Sequence, residues 1–377
     1  MKIAIDDGFS MTRPTGIGRY TAYIMSALAQ HAPQLRVRSV NLSWLQAVRP
    51  RQLRRLVYLA WLATGYPWQQ ARSAPDIIHF TNYQVAFWKP RQARYAVTIH
   101  DMSPFRWPDS KSNAYIWYVR RSIRQAVQQA DIIFADTYTV KQEIIEDLGV
   151  SESKIHVCYI GSDISPLPLP QAQHLIQRLI PPLNNHPFLL FVGSLERRKN
   201  LVPLVQAFGL LQKPHLHLIL AGRPGIGFEQ IEEAINPIDP SHQNIHLLAQ
   251  CTDEDLRALY STCKVFIFPS LYEGYGIPLL EAMTCGAPIV ASDISTNREL
   301  LQGLYCKYAG LIVQNQPEAF ATAIEQILTS PTLSAQLVSQ GQKRVCQFTP
   351  QQTAQQLMAG YDSVMGNRTR IHADKRG

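Results

Sequence analysis

At 377 residues the chain is longer than a single hydrophobic core ordinarily organises, so two domains are expected. Its hydrophobic content of 46% is that of a globular protein, and no run of about eighteen apolar residues marks a membrane-spanning helix, which sets aside disordered, collagenous and helical transmembrane classes. The net charge of +8 is one-sided: residues 1–168 carry 20 Lys and Arg against 12 Asp and Glu, and the remainder carries 16 against 16, so the first half is expected to meet something anionic.

In chain order, Ile3-Ala4-Ile5 after Met1-Lys2 reads as a strand and not as a signal peptide. A Gly-rich loop, Thr15 to Thr21, is expected next, then a helix over Thr21 to Ala29 and a strand from Leu35 to Val40. Trp44 to Arg94 resembles an insertion rich in Arg and aromatic residues. Buried strands follow at Asp76–Phe80, Tyr95–Ile99 and Ile132–Ala135, with a helix over Tyr115–Gln129, and Ile155–Tyr159 closes the first half. The prolines from Pro166 to Pro182 mark a connection. Beyond it, strands are expected at Phe188–Val192, His217–Ala221, Ile245–Leu248, Lys264–Phe268, Pro288–Ala291 and Gly310–Val313. Helices are expected over Leu201–Leu211, Glu254–Thr262, Glu318–Thr329, Leu333–Val345 and Pro350–Val364, before a mobile polar tail from Gly366. Alternating strands and helices of this kind are the mark of an α/β protein with parallel sheets. Six cysteines lie far apart with no C-x-x-C pair, which suits reduced thiols in a cytoplasmic protein, and no His or Cys spacing suits a metal.

The stretch Lys264 to Ser292 carries the densest chemistry. A strand breaks into a loop holding Glu273, Gly274, Tyr275 and Gly276, and Ile277-Pro278 leads into a helix carrying Glu281, expected within its first turn. A glycine turn feeding a helix start offers backbone N–H groups and a positive dipole end to a phosphate. Two carboxylates beside an anion site suit a ligand with hydroxyls on either side of a phosphate, which describes a nucleotide-sugar. Without a ligand, a Glu near a helix start is favoured electrostatically in any case.

Three further motifs stand at strand ends. Gly16 and Gly18 fail as a dinucleotide fingerprint, because Thr21 replaces the third glycine, but leave backbone free to approach a diphosphate. His100-Asp101 follows a strand. Gly193-Ser194 is followed by Glu196-Arg197-Arg198-Lys199-Asn200, whose cations could neutralise a departing diphosphate. A D-x-D sequence at Asp253–Asp255 reads as a helix cap behind Thr252 and not as a metal site.

E-G-Y-G-I-P-L-L-E from Glu273 to Glu281 resembles the signature of the retaining glycosyltransferases of family 4. The resemblance implies a GT-B fold of two facing Rossmann-like domains with a cleft between them. Residues 1–167 would form the first, 183–349 the nucleotide-sugar-binding second, and a helix over 350–366 would cross back to the first. It implies that Glu273, His100 and Asp101 serve catalysis. Gly16, Gly18, Ser194, Arg198, Lys199, Gly274, Tyr275, Gly276, Ile277 and Glu281 would hold the donor, with no metal and no cofactor. Many family members carry Arg where Ser194 stands, which shifts phosphate contact onto Arg198 and Lys199. G-I-G-R-Y together with V-G-S-L-E-x-R-K-N is similar to bacterial mannosyltransferases, which makes GDP-mannose the first donor expected and a saccharide or lipid-linked acceptor its counterpart. A UDP- or ADP-sugar with a soluble acceptor, or an idle nucleotide-sugar-binding scaffold, are the other readings. Arg49, Arg51, Arg54 and Arg55 among Trp44, Tyr58, Trp61, Tyr66, Trp68 and Trp88 suggest contact with an anionic membrane surface from the cytoplasmic side. Nucleic acid is not expected, since no binding motif accompanies them.

Overall fold

A computed structural model describes residues 1–6, 16–40, 47–49, 53–66, 74–86, 89, 93–108, 112–302 and 308–373. The chain divides into two compact units, one of Met1–Pro108, Ser112–Gly161 and Phe348–Gly377, the other chiefly Ser162–Gln347.

The first unit is built on β1 (Lys2–Asp6), α1 (Gly16–His31), β2 (Arg36–Ser39), α2 (Leu53–Ala63), β3 (Ile77–Phe80), β4 (Arg94–Ile99), α3 (Ser103–Arg106), α4 (Asn113–Gln129), β5 (Ile132–Ala135), α5 (Tyr138–Leu148) and β6 (Ile155–Val157). The second follows with α6 (Leu169–Leu179), β7 (Phe188–Val192), α7 (Leu201–Leu211), β8 (His217–Ala221), α8 (Phe228–Ile235), β9 (Ile245–Leu248), α9 (Asp253–Thr262), β10 (Val265–Phe268), α10 (Ile277–Cys285), β11 (Ile289–Ser292), α11 (Ser295–Leu301), β12 (Leu311–Val313), α12 (Pro317–Thr329) and α13 (Pro331–Val345). A last helix, α14 (Pro350–Ala373), returns to the first unit, where it packs on α1, β5 and β6.

Each unit holds a six-stranded parallel sheet, ordered β2-β1-β3-β4-β5-β6 in the first and β12-β11-β10-β7-β8-β9 in the second. The central strands are near-continuous apolar runs such as IIHF, IIFA, FLLFV and VFIF, buried along their whole length as strands covered on both faces must be. Edge strand β2 alternates exposed Arg36 with half-buried Val37, and charge there discourages edge pairing. Strand order reverses between β1 and β3 in one sheet and between β7 and β10 in the other. In open α/β sheets, ligands bind outside the carboxyl ends of the strands at such a reversal.

Several expectations change. The Gly-rich loop is a helix start: α1 begins at Gly16, so Gly16 and Gly18 belong to its first turn. The polar tail stays helical as far as Ala373. Its approach to the sheet depends on Gly360, where a Cβ would meet the Phe134 ring at 2.6 Å. Helices α5, α8 and α11 were not anticipated. Helix α5 is nonetheless closed by orthodox signals, Thr137 accepting from Val140 N at 3.1 Å and Gly149 ending it at φ +65°. The proline-rich connection carries α6, which packs on α9, while Arg257 Nε donates to Ser165 O at 2.7 Å and Leu167 N to Ser261 Oγ at 3.1 Å. Those bonds place the connection in the second unit.

The Arg- and aromatic-rich stretch is in part core. Tyr58 and Tyr66 are buried and Trp61 packs against the same cluster, while Leu53 and Leu56 of α2 are exposed. Arg54 is only 8% exposed and donates from Nε to Val48 O at 3.1 Å, so it is not offered to a membrane. Trp44, Arg51, Trp68, Trp88 and Arg91 lie outside the described residues, as does the Arg55 side chain. Among the described residues no helix is long and apolar enough to cross a membrane.

A row of imidazoles crosses one side of the second sheet: His186 Nδ1 meets His217 Nε2 at 3.2 Å, and His217 Nδ1 meets His246 Nε2 at 2.9 Å. Burial, then the neighbouring His246 and His186, push His217 down to about 4, with Asp239 opposing. Burial and the nearby His100 likewise push His79 down to about 3. Both folded values lie below the ordinary histidine value of about 6.5. The unfolded chain therefore takes up protons first as the pH falls, and stability is lost from about pH 6.5 downward. Melting temperatures recorded from pH 6.5 to pH 4 should fall as these two rings are forced to charge. His217→Gln should shallow that fall, and an unchanged slope would remove His217 from it.

Candidate functional site

The reversal of the second sheet brings two loops side by side. The loop after β7 is knitted to the one after β8: Gly193 N donates to Ala221 O at 2.9 Å, Leu195 N to Arg223 O at 2.9 Å and Arg197 N to Ile226 O at 2.9 Å. Gly222 makes this approach possible, since a Cβ there would lie 1.7 Å from the Gly193 carbonyl oxygen. The chain then makes a short turn over Arg197–Lys199, and Asn200, at φ +55°, redirects it into α7.

The loop after β10 is fixed from both sides. Leu271 N donates to Arg198 O at 2.9 Å, and Arg198 Nη1 donates to Tyr272 O at 2.7 Å. From α11, Thr296 Oγ1 donates to Glu273 O at 2.7 Å, while Asn297 Nδ2 donates to Ser292 O at 2.9 Å, and Ser292 Oγ bonds the Ser270 carbonyl. Glu273 is thus held by its backbone before any ligand arrives.

Its side chain is 7% exposed, and Lys199, equally buried, bonds one carboxylate oxygen while Arg198 Nη1 bonds the other at 3.1 Å. The far side of the same guanidinium donates to Glu196 Oε1 at 2.9 Å. Burial alone would raise the Glu273 carboxyl. Lys199 and Arg198, with the hydrogen bond from Lys199, reverse that and hold it at about 2. Glu273 is a fixed anion at every physiological pH.

Helix α10 starts beside it. Gly276, at φ +109°, caps the helix, Ile277 and Pro278 occupy its first positions, and Gly274 and Tyr275 are buried in the approach. The positive end of the helix dipole therefore lies in the same loop as Glu273. Glu281 is not in the first turn, as the sequence suggested, but one turn further in. It is 4% exposed and accepts from Tyr260 Oη at 2.9 Å. Ser194 is exposed on the neighbouring loop. Asp253 and Asp255 behave as a cap: Asp255 N donates to Thr252 Oγ1 at 3.1 Å and Thr252 N to Asp255 Oδ2 at 2.8 Å. Among the described residues no group of three or more His, Cys, Asp or Glu could hold a metal ion.

In the first unit His100 is not the isolated histidine the sequence showed. Its Nδ1 meets Asp136 Oδ2 at 2.7 Å and its Nε2 donates to Thr81 O at 2.8 Å. Burial disfavours the imidazolium, yet the Asp136 carboxylate, the Thr81 carbonyl and Asp101 together raise the pKa. Both ring nitrogens are thus committed within the unit. Tyr20, one turn beyond Gly16 and Gly18, stands edge-on to the ring at 4.7 Å. Asp101 accepts from Ser103 N at 2.9 Å, which closes the start of α3. Sequence reasoning missed Asp136, Thr81, Glu196 and Ser270. Asp136 follows an apolar strand, the position at which His100 was noticed, and carried the same signal.

The comparisons with known proteins agree with this architecture. Residues 177–344 match the model of the glycosyl transferases group 1, and residues 14–165 match that of Glycosyltransferase Family 4. The fold is also that of a sucrose-phosphate synthase from Thermosynechococcus elongatus, at a TM-score of 0.76 and 21% identity over 97% of this chain and all (100%) of that one. HepE from Anabaena, solved in complex with UDP and glucose, superposes at 0.70 and 19% identity, covering 96% of this chain and 100% of that one. Two α/β units of this kind are the GT-B fold. The two family models together span most of the chain, which is thereby similar to the family 4 glycosyltransferases.

Among curated relatives it is 27% identical over 301 residues to the O-antigen chain mannosyltransferase B of Escherichia coli, 78% of this chain and 77% of that protein. It is 28% identical over 257 residues to the serotype-specific mannosyltransferase WbdA of Escherichia coli, 61% of this chain but only 30% of that longer protein.

Removing one partner of a buried ion pair leaves the other charge unsolvated, which costs on the order of 3 kcal/mol. Lys199→Met should therefore lower the denaturant midpoint substantially, and Lys199→Met with Glu273→Gln should recover part of the loss. Additive losses in the double variant would show that the pair is not coupled.

Proposed function

We propose that the protein transfers a hexose, mannose first, from a GDP-linked donor to a hydroxyl of a saccharide acceptor, with retention of anomeric configuration. The observation that carries this reading is the Glu273 carboxylate, locked as an anion by Lys199 and Arg198 at the strand reversal of the second sheet and beside a helix start. Support for mannose comes from the names of the relatives above.

In this reading the donor diphosphate lies against Arg198, Lys199 and the start of α10, with Gly274, Tyr275, Gly276 and Ile277 lining the backbone approach. Arg198 exchanges part of its contact with Glu196 for a phosphate oxygen. Negative charge develops on the leaving phosphate as the glycosidic bond breaks, and fixed cations that need no reorganisation stabilise it. Glu273 faces the donor sugar, orienting its hydroxyls and stabilising the oxocarbenium-like centre. Glu281, positioned by Tyr260, takes the ribose hydroxyls. The acceptor hydroxyl enters on the face the phosphate leaves, and its proton passes to that phosphate. The charge needed at the diphosphate is supplied by side chains and helix, so no metal is invoked. His100, held by Asp136 and the Thr81 carbonyl, shapes the first unit's rim and does not act as a base.

A carboxylate opposite a developing cation matters more in the transition state than in the ground state. Glu273→Gln should accordingly reduce kcat by about a hundredfold or more while changing donor affinity far less. Steady-state kinetics with GDP-mannose, and with UDP-, ADP- and dTDP-sugars in parallel, measure this, and wild-type rates should be the same with EDTA. Full activity in Glu273→Gln, or loss with EDTA restored by magnesium, would each remove one part of the reading.

A lipid-linked acceptor at an anionic membrane fits the charge excess of residues 1–168. Co-sedimentation should then be stronger with anionic than with neutral vesicles and weaken as salt is added. Equal sedimentation with both would favour a soluble acceptor.

A further inference from the structure

The first unit has a strand reversal of its own, between β1 and β3. Open α/β sheets bind ligands outside the carboxyl ends of the strands at such a point. Here the rim is tied down tightly. Thr81, directly after β3, donates from Oγ1 to Asp6 O at the end of β1 at 3.0 Å, and Thr21 Oγ1 of α1 donates to Thr81 Oγ1 at 2.9 Å. His100 holds the Thr81 carbonyl at 2.8 Å from the end of β4. Asn82 then turns the chain by accepting Gln84 N on its Oδ1 at 2.5 Å.

Gln84 stands out on this rigid rim. It is 4% exposed, yet among the described residues neither Oε1 nor Nε2 has a hydrogen-bond partner. Its neighbours Val85 and Ala86 are ordinary core residues. A buried primary amide with every lone pair and N–H unmet is among the rarer features of a folded protein and calls for an occupant or a role. Asp136 Oδ1, on the same sheet's rim after β5, is also buried without a partner among the described residues.

We propose that Gln84 binds hydroxyl groups of the saccharide acceptor at the β1/β3 reversal. This rests on the glycosyl-transfer reading above and names the acceptor subsite within it. A primary amide presents an acceptor and two donors side by side, the complement of adjacent sugar hydroxyls. It is neutral, which suits an uncharged hexoside and leaves the charged diphosphate to Arg198 and Lys199. The ligand class is a hexopyranoside, and methyl α-D-mannopyranoside and an α-linked mannobiose are the probes.

The test uses Gln84→Met, which keeps length and volume but removes both polar groups. A side chain that bonds only its ligand can lose them without cost to the unliganded fold, so the melting temperature should stay level or rise. The acceptor KM for the mannosides should rise at least tenfold, while the donor KM moves less than twofold. Gln84→Glu, which keeps an acceptor but loses the donors, should fall between the two. A melting temperature lowered by several degrees would mean that the amide has a structural partner, such as buried water, and would overturn the proposal. So would an unchanged acceptor KM, or a wild type that turns over donor but uses neither mannoside. Calorimetric binding of mannobiose to wild type and Gln84→Met needs no turnover. It decides the Gln84 assignment even if no nucleotide-sugar is consumed, in which case the glycosyl-transfer reading alone fails.

Discussion

The second unit is organised around one buried ion cluster. Glu273, Lys199 and Arg198 lie where the loops after β7 and β10 meet, the first loop contributing the cations and Glu196 and the second Glu273. Ion pairs buried this deeply are poor sources of stability, because the cost of desolvating the charges is comparable to their attraction. Their value here is that the geometry is over-determined. The Arg198 carbonyl accepts from Leu271, the Arg198 guanidinium reaches the Tyr272 carbonyl, and α11 holds the Glu273 backbone from behind. A carboxylate so fixed carries its charge into a reaction without reorganising, which is what electrostatic catalysis demands.

The two sheets reach their sites by different strand orders. In the second unit the first strand, β7, is central and both flanks grow outward from it, so the loops from β7 and β10 supply cations and carboxylate together. In the first unit the reversal falls one strand from the edge, between β1 and β3, and the loops there supply Thr81, Asn82 and Gln84. The second rim carries the ion cluster, while the first sets the His100–Asp136 pair beside the uncharged side chains of Thr81, Asn82 and Gln84.

How much of this was legible in the sequence follows from the range of the forces involved. Strands β5, β7 and β8 could be read to the residue because a doubly covered strand must be a short apolar run, and composition alone marks it. Glu273, Arg198 and Lys199 were visible because a dense local motif surrounds each of them. Glu281 was visible too, but its distance from the helix start depended on whether Gly276 or Pro278 opened α10, a matter of one φ angle. Helix α1 was started too late because Gly16 and Gly18 have poor helix propensity, and packing against α14 overrides it. His100 looked solitary because its partner, Asp136, lies 36 residues away and meets it only once β4 and β5 pair. Partners brought together by strand pairing leave no local trace.

The return of α14 to the first unit follows the same logic. Its Tyr361 hydroxyl meets His79 Nδ1 at 2.7 Å, His79 Nε2 meets Thr98 Oγ1 at 2.8 Å, and Thr98 meets the Tyr20 hydroxyl at 3.1 Å, all buried. His79 and Thr98 lie on adjacent strands β3 and β4, Tyr20 on α1 and Tyr361 on α14, so one chain of bonds joins four elements. A slip of α14 by one residue would turn Tyr361 away and strand a neutral imidazole in apolar surroundings, a far larger penalty than the apolar contacts of either register could offset. The apolar face of α14 selects the surface, and this polar chain selects the register. Tyr20 stands at the end of the chain with its ring edge against His100, so the register of the last helix and the placement of the His100–Asp136 pair are linked through one continuous run of buried contacts.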